Sequence, residues 1–266
     1  MKTLILILAT FFIMNPLSSY GQNLMDGQQI AENTHAKNEG VSVKRNLIME
    51  LKDKRGKMRV RKTIALRKYF GKEKRLVIFY ETPSSVKGTG FLTFDYPEAS
   101  KDDDQWLYLP ALRKTRRISA ANRGDYFLGT DLTYEDIKLE TKISKDDYNY
   151  KTLKIEKIDD NDCYLIQATP KNDAIAKELG YSKAHFWVDA KLWIMRKSES
   201  WDIAGNHLKT VKISDIKIVQ EIWTYHRIDV INHKTKHETV FKFENIDYKT
   251  VLSDDYFTEE ALVDGL

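Results

Sequence analysis

Residues 57–67, KMRVRKTIALR, decide the fold. Met58, Val60, Ile64 and Leu66 share one parity, and Arg59, Arg61, Thr63 and Arg67 share the other. Side chains alternate across a strand, so this period of two predicts a strand with one apolar and one wet face. Such strands build antiparallel sheets. The pattern continues on both sides. Residues 43–51 carry Val43, Leu47, Met49 and Leu51, and residues 76–80 set Leu76, Ile78 and Tyr80 against Val77 and Phe79. Further strands are predicted over 90–96, 105–110, 115–119, 148–158, 162–169, 184–189, 192–201, 207–218, 221–231 and 238–249.

Turn residues separate these runs: Lys54-Arg55-Gly56, Phe70-Gly71-Lys72, Asp159-Asp160-Asn161-Asp162 and Ile203-Ala204-Gly205-Asn206. Short connections of this kind imply antiparallel neighbours. Within 207–218, Val211 and Ile213 share one parity while Ile216 and Ile218 share the other, which predicts a bulge near Ser214-Asp215. Helices are few. One is predicted over 24–37 around Leu24, Ile30 and Ala31, and a short one over 174–179 ending at Gly180. A third begins at Thr133, which stands at capping-box spacing from Asp136, with Leu132 and Ile137 placed for a hydrophobic staple. Gly129 permits a positive φ before that helix, and Asp131 can bond the backbone that follows it.

The fold class is therefore mainly β: one large, curved antiparallel sheet with two or three short helices to cover it, which forms an open half-barrel if it curls so that they lie over its concave face. A two-sheet sandwich would use the same strands. A sheet curled around so few helices should leave part of its apolar surface as a cavity.

The N-terminus has the form of an export signal. Lys2 precedes an apolar run, TLILILATFFIM (3–14), followed by Pro16, Ser18, Ser19 and Gly21. The run is too short to span a membrane and no stop-transfer segment follows, so cleavage is expected before Gln22; a retained signal anchor is the other reading. Cys163 is the sole cysteine and lies far from that site, so no acylated N-terminus and no internal disulfide is expected. Its setting in CYLIQA suits a buried apolar role. Residues 22–266, about 245 of them, are expected to form one soluble, exported domain. A formal charge of +4, falling by one on removal of Lys2, does not suggest nucleic acid, and the mixed charges suit a solvated surface.

Catalytic and metal chemistry find little support. His233 and His237 are four apart, but INHKTKHE reads as a hairpin turn rather than a helix. His185, His207 and His226 form no triad with Ser and Asp. Asp102-Asp103-Asp104 suits a solvated turn better than a calcium site. No phosphate loop and no cofactor motif appears. Trp106, Tyr108, Trp187, Trp193, Trp201 and Trp223 supply aromatic surface, for which core packing is the ordinary role. The cluster Arg113, Lys114, Arg116, Arg117 follows the WLYL strand. Its ordinary role is a solvated face; its functional one is to hold a phosphate or to pin a helix through a carboxylate.

Three segments, in order, resemble the LolA-like family of outer membrane lipoprotein-sorting proteins. They are QWLYLPALRKTRRI with FLGTDLTYEDI, then AHFWVDAKLWIMRKSESWDIAGNHLKTVKISDI, then the terminal DDYFTEEAL. The resemblance implies a non-enzymatic periplasmic carrier whose cavity holds acyl chains of lipoproteins or lipids on their way to the outer membrane. It also implies an inner-membrane transporter and an outer-membrane acceptor as partners, with the carrier a monomer. Candidate lipid contacts are then Leu47, Met49, Leu51, Met58, Val60, Ile64, Leu66, Ile78, Tyr80, Trp106, Tyr108, Trp187, Trp193 and Trp223. Met49 and Met58 would be soft, adaptable liners. Candidate headgroup or lid residues are Arg113, Arg116 and Arg117. The competing readings are a non-enzymatic adaptor docked on an inner-membrane lipid transporter and a secreted hydrolase, for which no constellation of residues is visible.

Overall fold

The computed structural model describes residues 24–98 and 100–265; the export segment read at 1–21 lies outside them. The predicted strands form a single 13-stranded antiparallel sheet. They are β1 (Ser42–Lys52), β2 (Met58–Phe70), β3 (Glu73–Thr82), β4 (Gly90–Asp95), β5 (Asp104–Leu109), β6 (Lys114–Arg117), β7 (Tyr148–Ile158), β8 (Asn161–Pro170), β9 (Lys183–Asp189), β10 (Met195–Trp201), β11 (His207–Val219), β12 (Ile222–Asn232) and β13 (His237–Asp247). The order across the sheet is β6-β5-β4-β3-β2-β1-β13-β12-β11-β10-β9-β8-β7. Two meanders are thus stitched together where β1 pairs with β13, Met49 opposite Phe241.

This topology has a consequence. The edge strands β6 and β7 are consecutive in the chain, so residues 118–147 must travel from one edge of the sheet to the other. A flat sheet of this width would hold its edges roughly 55–60 Å apart. The connection is folded into turns and a short helix, so it can cross only because the sheet curls and stays open. Helix α1 (Gly27–Ala36) begins at Asp26, whose carboxylate accepts from the N–H groups of Gln28 and Gln29, and it buries Ile30, Ala31 and Thr34. Helix α2 (Tyr134–Leu139) lies in the crossing segment, and α3 (Asp173–Leu179) stops at Gly180, φ +76°. Among the described residues no helix is long and apolar enough to cross a membrane.

A fourth helix, α4 (Glu259–Asp264), packs on the opposite face of the sheet. There Leu262 and Ala261 join Leu66, Val77, Phe79, Leu92 and Phe257. Gly90 makes room for it: a Cβ there would lie 2.9 Å from Leu262 Cδ2. Both faces of β2–β4 are therefore covered, and this reverses the reading of β2. Cross-strand partners share a face, and Leu47 faces Thr63, Met49 faces Arg61 and Leu51 faces Arg59. The arginine parity of β2 thus belongs to the inner face, while Ile64 and Leu66 sit under α4 and Met58 and Val60 are exposed on the outside. The irregularity near Ser214-Asp215 also differs from a simple bulge. Asp215 adopts φ +51° and leaves the ladder, but Ser214 opposite Arg227 and Ile216 opposite Tyr225 keep one register.

Candidate functional site

The crossing segment is built by local rules. Thr133 caps α2 through the Asp136 N–H, and the Asp136 carboxylate reaches back to the Thr133 N–H at 2.8 Å. Just upstream, Phe127–Gly129 form one tight turn in which Leu128 and Gly129 both have positive φ. Gly124 lets the backbone press against the end of α3, since a Cβ there would stand 2.2 Å from the Glu178 carbonyl oxygen. The result is a lid with an apolar underside.

Phe127, Leu132, Tyr134, Ile137 and Ile143 point into the inner face and join Leu47, Met49, Leu51, Ile78, Tyr80, Phe91, Ile228, Phe241 and Phe243 in one core. Phe91 meets Phe127 with ring centroids 4.9 Å apart, and Tyr134 closes the trio. The expected apolar cavity is filled by these lid residues. A void of about 30 Å³ lies between Leu47, Leu76, Ile137, Ile228 and Phe243, with Arg45, Asp136 and Glu140 also on its wall.

Polar clips hold the rim of the lid to the sheet. Arg61, on the inner face of β2, donates to the Leu128 carbonyl. The Asp131 carboxylate accepts from the Thr239 hydroxyl at 2.6 Å and lies 2.6 Å from His237 Nδ1. It grips β13 in this way instead of bonding the backbone that follows it. Asn232 donates to the Tyr126 hydroxyl at 2.8 Å, and Lys209, almost fully buried, reaches Asp136 at 2.5 Å. Lys74 donates to the Lys138 carbonyl at 2.6 Å. His35 of α1 lies 2.8 Å from the Ile143 carbonyl, and Arg123 ties Asp147 and Glu178 together.

One clip opens into a buried charge cluster. Arg45 pairs with Glu140 at the end of α2 and lies over the Phe243 ring, 4.7 Å from its centroid. Glu39, on the linker after α1, receives Arg67 at 3.2 Å, Lys142 at 3.0 Å, Lys37 and the Tyr69 hydroxyl at 2.7 Å. Burial pushes the Glu140 carboxyl up, but Arg45 and Arg67 outweigh it and hold it at about 2. Burial likewise opposes ionisation of Glu39, and Lys37, Arg67 and Lys142 hold it well below the usual carboxylate range. Burial lowers Lys37. The Glu39 end of this cluster, with Lys37, Tyr69 and Lys142, forms part of the wall of a cleft of about 1000 Å³, to which His35, Lys74, Asp95, Arg123, Glu135 and Lys138 also contribute.

The sequence candidates divide. Leu47, Met49, Leu51, Ile78 and Tyr80 line the inner face, and Trp193 packs at its margin, stacked on Tyr164. Ile64, Leu66, Trp106 and Tyr108 belong to the outer cluster under α4. Trp187 packs on the outer face with Cys163 and Leu165, and Trp223 is exposed. Burial pushes the Cys163 thiol up to about 11, as suits an inert core residue. Arg113, Lys114, Arg116 and Arg117 are exposed at or beside β6, and Arg117 pairs with Asp104. Charge on an edge strand discourages pairing with another sheet. The arginines that contact the lid from the inner face are Arg45 and Arg61. The alternation of β2 assigns Arg61 and Arg67 to one parity, but the pattern that marks a strand does not say which face turns inward. His207 and His233 stack at 4.2 Å, and among the described residues no group of three His, Cys, Asp or Glu is placed to hold a metal.

Comparisons with known proteins agree with this architecture. A family model described as an uncharacterized protein, of the "-like" kind, matches residues 71–264. A DUF1329 family protein from Desulfovibrio piger is 29% identical, with a TM-score of 0.80, over 89% of this chain and 97% of its own. A candidate outer membrane lipoprotein-sorting protein domain from Vibrio parahaemolyticus is 28% identical, with a TM-score of 0.79, over 89% and 98%. A LolA superfamily protein from Nitrosomonas europaea shares the fold at 20% identity and a TM-score of 0.64, over 89% and 99%. No curated protein matches in sequence.

Proposed function

Since the chain belongs to the LolA-like family of outer membrane lipoprotein-sorting proteins, we propose that it is a non-enzymatic periplasmic carrier that takes up acyl chains of lipids or lipoproteins against its inner face and moves them towards the outer membrane. The observation that carries this reading is the lid: an apolar underside held down by polar clips at its rim. Lifting such a cover exposes the buried clips to water, which offers them replacement hydrogen bonds, while the underside needs an apolar replacement. Five buried apolar side chains at about 1.5–3 kcal/mol each amount to roughly 10 kcal/mol. An acyl chain brings about 0.8 kcal/mol per methylene, so one long chain offers a similar sum. Exchanging lid for cargo is then nearly balanced, as a carrier that must also release requires.

Native mass spectrometry of protein purified from membrane extracts tests this. Wild type should carry lipid, and an Arg61→Ala protein, with one clip removed, should carry more. Protein free of lipid in both forms would end the carrier reading. A second reading, an adaptor docked on an inner-membrane lipid transporter, draws its support from the filled hollow; it predicts empty protein that co-purifies with a membrane partner.

A further inference from the structure

We propose that Lys37, Arg67 and Lys142 form an anion site, that Glu39 occupies it as an internal stand-in, and that the cargo is an anionic lipid whose phosphate headgroup takes the place of Glu39. This rests on the carrier reading and names its substrate class.

Four observations converge. First, three cations and a phenol point at one carboxylate, which is more donors than a structural ion pair requires. A phosphate, with more oxygens, would use the same donors more fully. Second, the cluster holds more positive than negative side chains: Lys37, Arg45, Arg67 and Lys142 against Glu39 and Glu140. Buried charge without a counter-charge is costly, so an excess of this kind suits a site built for an anion that comes and goes. Third, Arg45 and Arg67 each keep a buried Nε–H without a hydrogen-bond partner, that of Arg67 standing 3.7 Å from Glu140. Fourth, Glu39 is carried on the short linker between α1 and β1, followed by Gly40 at φ +71°, and this linker walls the cleft of about 1000 Å³. A headgroup in the cleft would meet Lys37, Tyr69 and Lys142 directly.

The position also explains how loading would open the lid. Lys142 and Glu140 lie just past α2, at the end of the lid, whereas Arg45 and Arg67 stand on the sheet. Arg67 meets both Glu39 and Glu140, so a phosphate drawing on Arg67 competes with Glu140 for it and weakens the contacts that hold the lid end down.

The test uses the full mature chain, wild type, Glu39→Gln and Lys142→Gln, incubated with vesicles of phosphatidylcholine alone or with phosphatidylglycerol. Bound lipid is read by native mass spectrometry, and inorganic phosphate is titrated separately by calorimetry. Wild type should prefer phosphatidylglycerol; Glu39→Gln should raise its uptake roughly tenfold, and Lys142→Gln should erode the preference. Equal uptake of both lipids by wild type and Glu39→Gln overturns the headgroup assignment and leaves the carrier reading standing. No uptake of any lipid overturns both. Tight binding of inorganic phosphate with no lipid preference would make free phosphate the ligand and overturn the lipid assignment alone.

Discussion

The carboxylate of Asp131, in the lid, accepts a 2.6 Å hydrogen bond from the hydroxyl of Thr239 on β13, and the Asp131 N–H donates back to that hydroxyl at 3.1 Å. Both residues are buried, so the exchange is a latch between segments far apart in sequence. Replacing Thr239 with Val removes the hydroxyl while keeping its shape. It leaves the Asp131 N–H and part of its carboxylate without partners, at a cost of about 1–3 kcal/mol. Hydrogen exchange should then quicken in residues 125–135 while β11–β13 stay protected. Uniform protection across both would show that the latch is not what holds the lid.

Gly124 offers a steric test. A methyl group there would stand 2.2 Å from the Glu178 carbonyl oxygen and 2.9 Å from the Leu179 carbonyl carbon, both backbone atoms that cannot turn aside. Gly124→Ala should lower stability by about 1–3 kcal/mol and lift the start of the lid from α3. Thermal melting reads the first effect, and faster exchange at 120–127 reads the second. A variant with an unchanged midpoint would mean the two segments do not pack so closely in solution.

Two arginines should behave in opposite ways. Arg117 is exposed and pairs with Asp104 at the sheet edge, so Arg117→Ala should change stability by less than about 1 kcal/mol and leave lipid loading unaltered. Arg45 is buried against Glu140 and two aromatic rings, and Arg45→Ala leaves that buried carboxylate with only the longer Arg67 contact at 3.7 Å. A loss of about 3–5 kcal/mol is expected in chemical denaturation. Similar midpoints for the two variants would contradict this assignment of the lid clip.

Acid should loosen the lid in two stages. Burial lowers the His35 pKa from its ordinary value of 6.5 to about 4. Its neutral form is therefore favoured in the fold, and the stability it contributes is present above 6.5 and lost as the pH falls towards 4. Glu140, held at about 2 by Arg45 and Arg67 against the effect of burial, contributes stability above 4.5 that is lost as the pH falls towards 2. Stability measured against pH should decline across both windows. His35→Gln should flatten the upper one and spare the lower; a decline in the upper window that survives the substitution would point to another group.

Much of the fold was legible in local pattern. The strand runs, the turn residues between them, and α1, α2 and α3 all follow from period, caps and glycine positions, because these depend on neighbours a few residues apart. Helix α4 was visible only as the closing DDYFTEEAL segment, since six residues carry too little periodicity to show as a helix. The site was much less legible. Glu39, Arg45, Arg67 and the pair Glu140 and Lys142 come from four stretches of chain, and nothing local to any of them announces a partner.

The alternation in KMRVRKTIALR determined that residues 58–67 lie in a strand, because side chains on opposite sides of a backbone must differ when their surroundings differ. It could not determine which side is the interior. That was decided by α4 covering Leu66 and Ile64 from outside, and from within by the lid's Leu128 carbonyl, which meets Arg61, and by the Glu39 and Glu140 carboxylates, which meet Arg67. A buried cation is tolerable only where its counter-charge and acceptors arrive, and their arrival is a property of the assembled sheet and of the segment forced to cross it.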